Sequence, residues 1–268
     1  MIKQMKTIGN ATLYCADCKD VLPLLKDIDS CVTDPPYGLS FMGKQWDYDV
    51  PSVDIWMQVH DALKPGAHLL SFFGSRTYHR GAIPIEDAGF EIRDQLMWLY
   101  GSGFPKSHNI GKAVDKLQGN KREIYPNPLI KKQTASKNTN CYSDYGHKTH
   151  ISKGSSEYEG WGTALKPAHE PIVMARKPFK GTVANNVIEH GTGGINIDEC
   201  RVGTDDNLSG GSGRIGGFAG KTQGGELSDY KVLGNEQGRF PANVMHDGSE
   251  VVQDIFQDKA RYFYCAKA

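Results

Sequence analysis

The segment Asp34-Pro35-Pro36-Tyr37 combines an acid, two prolines and an aromatic ring directly after a short apolar run. Proline fixes φ and lacks an N–H donor, and it drives the preceding residue into an extended conformation. Asp34 and Tyr37 are therefore predicted on a stiff loop at the end of a strand, where open α/β sheets bind their ligands. Such an acid can accept a hydrogen bond from an amino group, and such a ring can stack on a planar heterocycle.

Strand and helix patterns alternate around this loop and must position it. Helix patterns lie at residues 52–63 and 75–89. The alternation of strands with helices predicts an α/β fold with a mostly parallel, doubly wound sheet. The predicted strands lie at residues 11–16, 30–33, 67–73, 90–100 and 171–177.

The sequence Asp-Pro-Pro-Tyr at 34–37 resembles the catalytic motif of the S-adenosylmethionine-dependent amino-methyltransferases of DNA, which methylate adenine N6 or cytosine N4. The alternative is a proline-stiffened surface turn, but a strand pattern precedes the motif and an aromatic-rich loop (Phe41, Trp46, Tyr48) follows it. The resemblance implies a Rossmann-like methyltransferase sheet, S-adenosylmethionine as the cofactor and double-stranded DNA as the substrate. Asp in front of Pro-Pro-Tyr favours adenine N6 over cytosine N4.

The resemblance also implies a role for each residue of the motif. The target base is flipped out of the duplex, and Tyr37 stacks on its ring. Asp34 and the backbone carbonyl of Pro35 bind the amino group next to the methyl-donor end of the cofactor, while Pro36 helps to stiffen the turn. Because a methyl sulfonium is already electrophilic, positioning is the main contribution and no metal is expected.

Asp17 is the candidate for a second contact with the cofactor. It follows the strand pattern at 11–16, and the resemblance implies that an acid at this place contacts the adenine of the cofactor. A helix N-cap is the alternative, since aspartate is a common capping residue, and both roles can hold together. The glycines at 211–216 match Gly-x-Gly-x-x-Gly, but a flexible loop is the better interpretation because no strand pattern leads into them.

The order of the motifs resembles a permuted subclass of the family, in which the catalytic motif comes first and the glycine-rich cofactor loop last. Only 33 residues precede Asp34. The subclass is expected to carry His-Pro-Thr-x-Lys-Pro and then Asp-Pro-Phe-x-Gly-Ser-Gly, neither of which occurs, and residues 261–268 resemble the strand just before those elements. We therefore expect a fold that is incomplete at the C-terminus and a partner chain or missing C-terminal segment that completes the cofactor site. The alternative is a non-catalytic DNA-binding fragment.

A polar segment at residues 104–166 is predicted to be a DNA-recognition insert between the catalytic part, 1–103, and the remainder of the same domain, 167–268. From residue 112 to residue 153 the chain has nine Lys or Arg and three acids. Lysine and arginine bind phosphates, whereas a solvated polar loop is the alternative. The predicted phosphate contacts are Lys121, Arg122, Lys131 and Lys132.

The composition is that of a globular protein, with 38% hydrophobic and 23% charged residues and a formal net charge of +0. Contact with nucleic acid must therefore depend on local charge. No apolar run approaches the length of a membrane span, and the N-terminus lacks the apolar core of a signal peptide. The six cysteines have no disulfide-like spacing, and Cys15 and Cys18 lack a second pair for zinc. We expect a cytoplasmic protein with reduced thiols.

Overall fold

The computed structural model describes residues 2–40, 43–103, 107–126, 150–204 and 238–266. The chain forms two compact units: the main unit comprises Met1–Ser102 and Ala168–Ala268, and the insert unit comprises Gly103–Pro167. The insert unit occupies the position of the predicted recognition segment, whose role remains a prediction. No helix in the described ranges has the length and apolar character needed to cross a membrane.

The described residues form ten strands and six α-helices. The strands are β1 (Gln4–Ile8), β2 (Ala11–Cys15), β3 (Ile28–Thr33), β4 (Leu63–Phe72), β5 (Glu91–Leu99), β6 (Glu123–Pro126), β7 (His150–Lys153), β8 (His169–Arg176), β9 (Val244–His246) and β10 (Tyr264–Cys265). The helices are α1 (Cys18–Val21), α2 (Val53–Ala62), α3 (Tyr78–Asp87), α4 (Ile110–Gln118), α5 (Val183–His190) and α6 (Glu250–Phe256). Short 3₁₀ helices occur at Leu22–Leu24, Gln45–Asp47 and Gln257–Tyr262.

The main unit contains a six-stranded sheet with the order β10-β9-β5-β8-β4-β3. β3 is parallel to β4, and β5, β9 and β10 are parallel to one another, whereas β8 is antiparallel to both of its neighbours. Five strands therefore end at one edge, the carboxyl edge, where β8 begins. β8 is reversed because the chain returns to this edge after β5, where the Tyr100 N–H donates to the Ala168 carbonyl at 3.0 Å. The predicted α/β class is confirmed, with one reversed strand.

The hydrophobic core lies on one face of this sheet. Trp56 and Val59 of α2 and Ile85 of α3 are buried against Leu69 and Phe73, at and just beyond β4. Both helices lie on this face because β3, β4 and β5 follow one another in a single direction across the sheet, and right-handed crossovers in one direction place their helices on the same side. Within the described residues, α2 and α3 thus form a helix layer on this face of the sheet.

The strand that leads to Asp34 is accessible from two sides. β3 is the last strand in the order of the described sheet. Successive side chains of a strand point to opposite faces: Cys31 packs against the core, whereas the next residue, Val32, is 65% exposed. Asp34, directly after β3, is likewise exposed.

The predicted strand at 11–16 lies outside the main sheet. It forms β2, which pairs with β1 in an antiparallel hairpin whose register runs from Gln4 opposite Cys15 to Ile8 opposite Ala11. Gly9 turns the chain with a φ of 57°, a conformation that glycine adopts readily. Asp17 consequently follows a hairpin and not a strand of the main sheet.

The insert unit is organised around the guanidinium group of Arg122, whose side chain is only 11% exposed. Arg122 forms an ion pair with the fully buried Asp115 of α4 and donates through two nitrogens to the Glu159 carboxylate, each at 2.9 Å. The hydrogen bonds and the charge of Arg122 lower the pKa of Glu159. A buried charge is stable only when it is paired. Arg122 thus has an intramolecular structural role in this unit, and its contact with a DNA phosphate remains a prediction.

Candidate functional site

The buried carboxylate of Asp47 anchors the Asp-Pro-Pro-Tyr loop through two hydrogen bonds. The N–H groups of Tyr37 and Gly38 both donate to Asp47 Oδ1, at 2.8 and 3.0 Å. Asp47 is only 3% exposed, and its own carbonyl accepts a hydrogen bond from the Ser40 N–H at 2.8 Å. The two prolines of the loop offer no N–H, so Asp47 binds the first two donors that follow them. The loop is therefore held in shape without a ligand, and Asp34 is left exposed at the carboxyl edge.

The Tyr37 ring is half-buried between the ends of two strands. Its centroid lies 6.4 Å from that of Phe73, with the rings tilted by 42°. A Cβ atom on Gly74 would lie 3.2 Å from the ring, so glycine permits this close approach. On the other side, the Tyr37 hydroxyl donates to Glu170 Oε2 at 3.3 Å. Residues just after the end of β4 and at the start of β8 thus hold the ring in position.

Acidic and phenolic groups cluster at this edge. Burial raises the pKa of Tyr37, as do the neighbouring carboxyl groups of Asp34 and Glu170, so the hydroxyl stays protonated and acts as a donor. Burial also raises the pKa of Glu170; the Tyr37 hydrogen bond lowers it, and the charge of Asp34 raises it further. Tyr100 belongs to the same cluster, since burial and then the charge of Glu170 raise its pKa.

Glu170 is the functional candidate that the sequence analysis missed. It lies immediately before the strand predicted at 171–177, and 133 positions separate it from Tyr37. Because β8 is antiparallel to its neighbours, its first residues lie at the carboxyl edge where the parallel strands end. The position of Glu170 at the start of a strand could have indicated a site residue. That inference requires the direction of the strand, which the sequence does not show.

The sequence also has a curated relative. The type II methyltransferase M.HindIII of Haemophilus influenzae is similar to this chain. The two are 27% identical over 144 residues, which cover 53% of this chain and 35% of M.HindIII. The chain thus spans roughly a third of the length of that relative. No protein-family profile matches the chain.

Two solved proteins, M1.HpyAVI and TTHA0409 of Thermus thermophilus, resemble the chain in structure. M1.HpyAVI is 16% identical, with 62% of this chain and 54% of that chain covered and a TM-score of 0.32. Its SAM complex is 15% identical, with 61% and 54% covered and a TM-score of 0.31. TTHA0409 is 15% identical, with 62% and 52% covered and a TM-score of 0.31. The chain spans about half the length of each.

Asp17 has a structural role as a helix cap. Its Oδ1 accepts a hydrogen bond from the Lys19 N–H at 2.9 Å, at the start of α1. Contact with the adenine of a cofactor remains a prediction. Cys15 and Cys18 are free thiols, and in the described ranges no group of three His, Cys, Asp or Glu side chains could hold a metal ion.

The predicted DNA contacts fall into three groups. Lys121 is exposed in the insert unit and remains a candidate. Arg122 is committed to Asp115 and Glu159, as described above. The other two predicted contacts, Lys131 and Lys132, lie outside the described residues. The same holds for Phe41, the last two residues of 261–268 and the glycine segment 211–216, which the sequence analysis discussed for other reasons.

Proposed function

We propose that this chain carries the catalytic part of an S-adenosylmethionine-dependent methyltransferase, which acts on an exocyclic amino group of a base in DNA. The observation that carries this proposal is the exposed Asp34 carboxylate beside the Tyr37 ring, on a loop that Asp47 anchors at the carboxyl edge. The similarity to M.HindIII supports it. Adenine N6 is the favoured target, because an acid stands before Pro-Pro-Tyr.

The loop residues can bind both the ring and the amino group of a flipped base. Extruding the base costs a few kcal/mol, and stacking on an aromatic ring such as Tyr37 contributes about 1–3 kcal/mol. The Asp34 carboxylate and the Pro35 carbonyl accept hydrogen bonds from the amino group and aim its nitrogen at the methyl donor. Because Asp47 fixes the loop beforehand, little reorganisation is needed when the base arrives.

S-adenosylmethionine would supply the methyl group on a positively charged sulfonium. The residues present suit such a group, because Asp34 and Glu170 bring two carboxyl groups to the carboxyl edge, and negative charge stabilises a nearby cation. Asp34 would face the methyl-donor end, and Asp17 is the proposed contact for the adenine.

Exposed aromatic and basic side chains suit double-stranded DNA as the substrate. Trp46 and Tyr48 follow the catalytic loop and are 62% and 55% exposed, which leaves their rings available to stack on bases. Lys121, together with Lys131 and Lys132, would bind phosphates and fix the position of the protein on the duplex.

Nucleoside analysis tests the proposal directly. The protein, together with the partner chain or segment proposed to complete its cofactor site, is incubated with duplex DNA of mixed sequence and isotopically labelled S-adenosylmethionine, and the digested DNA is analysed by mass spectrometry. We expect labelled N6-methyladenine; N4-methylcytosine would instead show the same reaction on the other target base. Binding of DNA without any methyl transfer would contradict the proposal and favour the non-catalytic alternative.

A further inference from the structure

Glu170 has its backbone held in the sheet by β5, the strand that pairs with β8 at this point. It pairs in register with Trp98 of β5. The carbonyl of the next residue, Pro171, accepts a hydrogen bond from the Phe73 N–H at 3.0 Å. A side chain on such an element is positioned more exactly than one on a loop. Glu170 is therefore a fixed point for the groups at the carboxyl edge.

In this cluster one phenolic proton faces two carboxyl groups. The Tyr37 hydroxyl donates to Glu170 at 3.3 Å. Asp34 also acts on this hydroxyl, because, besides burial, a hydrogen bond with Asp34 helps to raise the pKa of Tyr37. A phenol has a single O–H donor. If Tyr37 donated to Asp34 instead, that bond would occupy an acceptor that the substrate amino group needs.

We propose that Glu170 is a positioning residue that accepts the Tyr37 proton and thereby keeps the Asp34 carboxylate open for the substrate amino group. This role rests on the proposed function, since only a bound amino group requires Asp34 in that state. Glu170 acts through Tyr37 and Asp34 and does not touch the base.

Methyl-transfer kinetics of four variants test this role: E170A, E170Q, Y37F and the double variant Y37F/E170A. E170A should lower kcat about fivefold or more, the typical effect of one hydrogen bond. E170Q should retain most of the activity, because its amide oxygen accepts the same bond. In the Y37F background no hydroxyl competes for Asp34, so adding E170A should change kcat by less than about twofold. E86A, a change of an exposed glutamate of α3, is the matched control.

The double variant separates positioning from simple support of the fold. A structural role would make E170A as harmful in Y37F as in the wild type, and that result would overturn the proposal. Full activity of E170A would overturn it too, as would a loss in E170Q as large as that in E170A.

A spectroscopic measurement addresses the same question without methyl transfer. Tyrosine is labelled with ¹³C at Cζ, and the Tyr37 resonance is assigned from its absence in Y37F. D34N should shift this resonance more in the E170A background, where Tyr37 turns to Asp34, than in the protein that keeps Glu170. Equal shifts in both backgrounds would overturn the proposal. If the wild-type protein methylates no DNA, the proposed function fails, while this measurement still decides the role of Glu170.

Discussion

At the scale of single residues, the proposed reaction depends on the Asp34 carboxylate. Replacing Asp34 with alanine should reduce methyl transfer to DNA below detection, because the amino group loses its main acceptor. The fold should be unaffected, since the side chain is exposed and adds little to packing. Circular dichroism and incorporation of labelled methyl groups measure the two effects, with D87A as an exposed-acid control. Retained transfer in D34A would rule out the assigned role.

Tyr37 presents a ring for stacking and a hydroxyl for Glu170, and substitutions separate the two. Y37A should weaken capture of a flipped base by the loss of about 1–3 kcal/mol of stacking. Y37F should keep most of this capture because the ring remains. Fluorescence of 2-aminopurine at the target position of the DNA reports how far the base is flipped. A Y37F variant as defective as Y37A would show that the hydroxyl, and not stacking, is the main contribution.

At the scale of structural elements, Asp47 maintains the shape of the catalytic loop. D47A should destabilise the main unit by about 1–3 kcal/mol, because the part-buried N–H groups of Tyr37 and Gly38 lose their acceptor. Urea unfolding measures this loss, and hydrogen exchange should show faster exchange at the same two amides. D47N is the matched control, since its side-chain oxygen can still accept both bonds. Unchanged exchange of these amides in D47A would refute the anchoring role.

The insert unit depends in the same way on Arg122. R122A should destabilise this unit, because the buried carboxylate of Asp115 keeps the hydrogen bond from Asn120 but loses its charged partner. Hydrogen exchange of α4 measures the loss locally. K121A removes the neighbouring exposed charge and should have little effect. Similar exchange in R122A and the wild type would refute this structural role.

At the scale of the whole molecule, a formal net charge of +0 provides no general attraction for DNA. Binding should then depend on a few local phosphate contacts, each contributing about −0.9 to the slope of log K against log[salt]. Neutralising Lys131 and Lys132 should flatten this slope by up to about two units if both bind phosphate. The same change at Lys6 of β1 and at Lys3, directly before β1, is the control. An unchanged slope would identify the two insert lysines as solvated surface residues.

The sequence by itself determined the features that follow from local conformation. Two prolines predict a stiff loop after a strand, and Asp34 indeed follows β3 directly. The apolar periodicity predicts α2 and α3, whose observed bounds lie within the predicted segments. These features were readable because a few neighbouring residues specify backbone torsions and the apolar face of an element.

The tertiary structure alone decided which distant groups meet. Tyr37 and Glu170 are 133 positions apart, and their contact exists only because β8 runs against its neighbours and begins at the carboxyl edge. The strand at 11–16 pairs in a hairpin instead of in the main sheet, and Arg122 is buried against Asp115 instead of facing solvent. In each case the outcome depends on which surfaces are buried together, and local propensity and residue type carry no information about that choice.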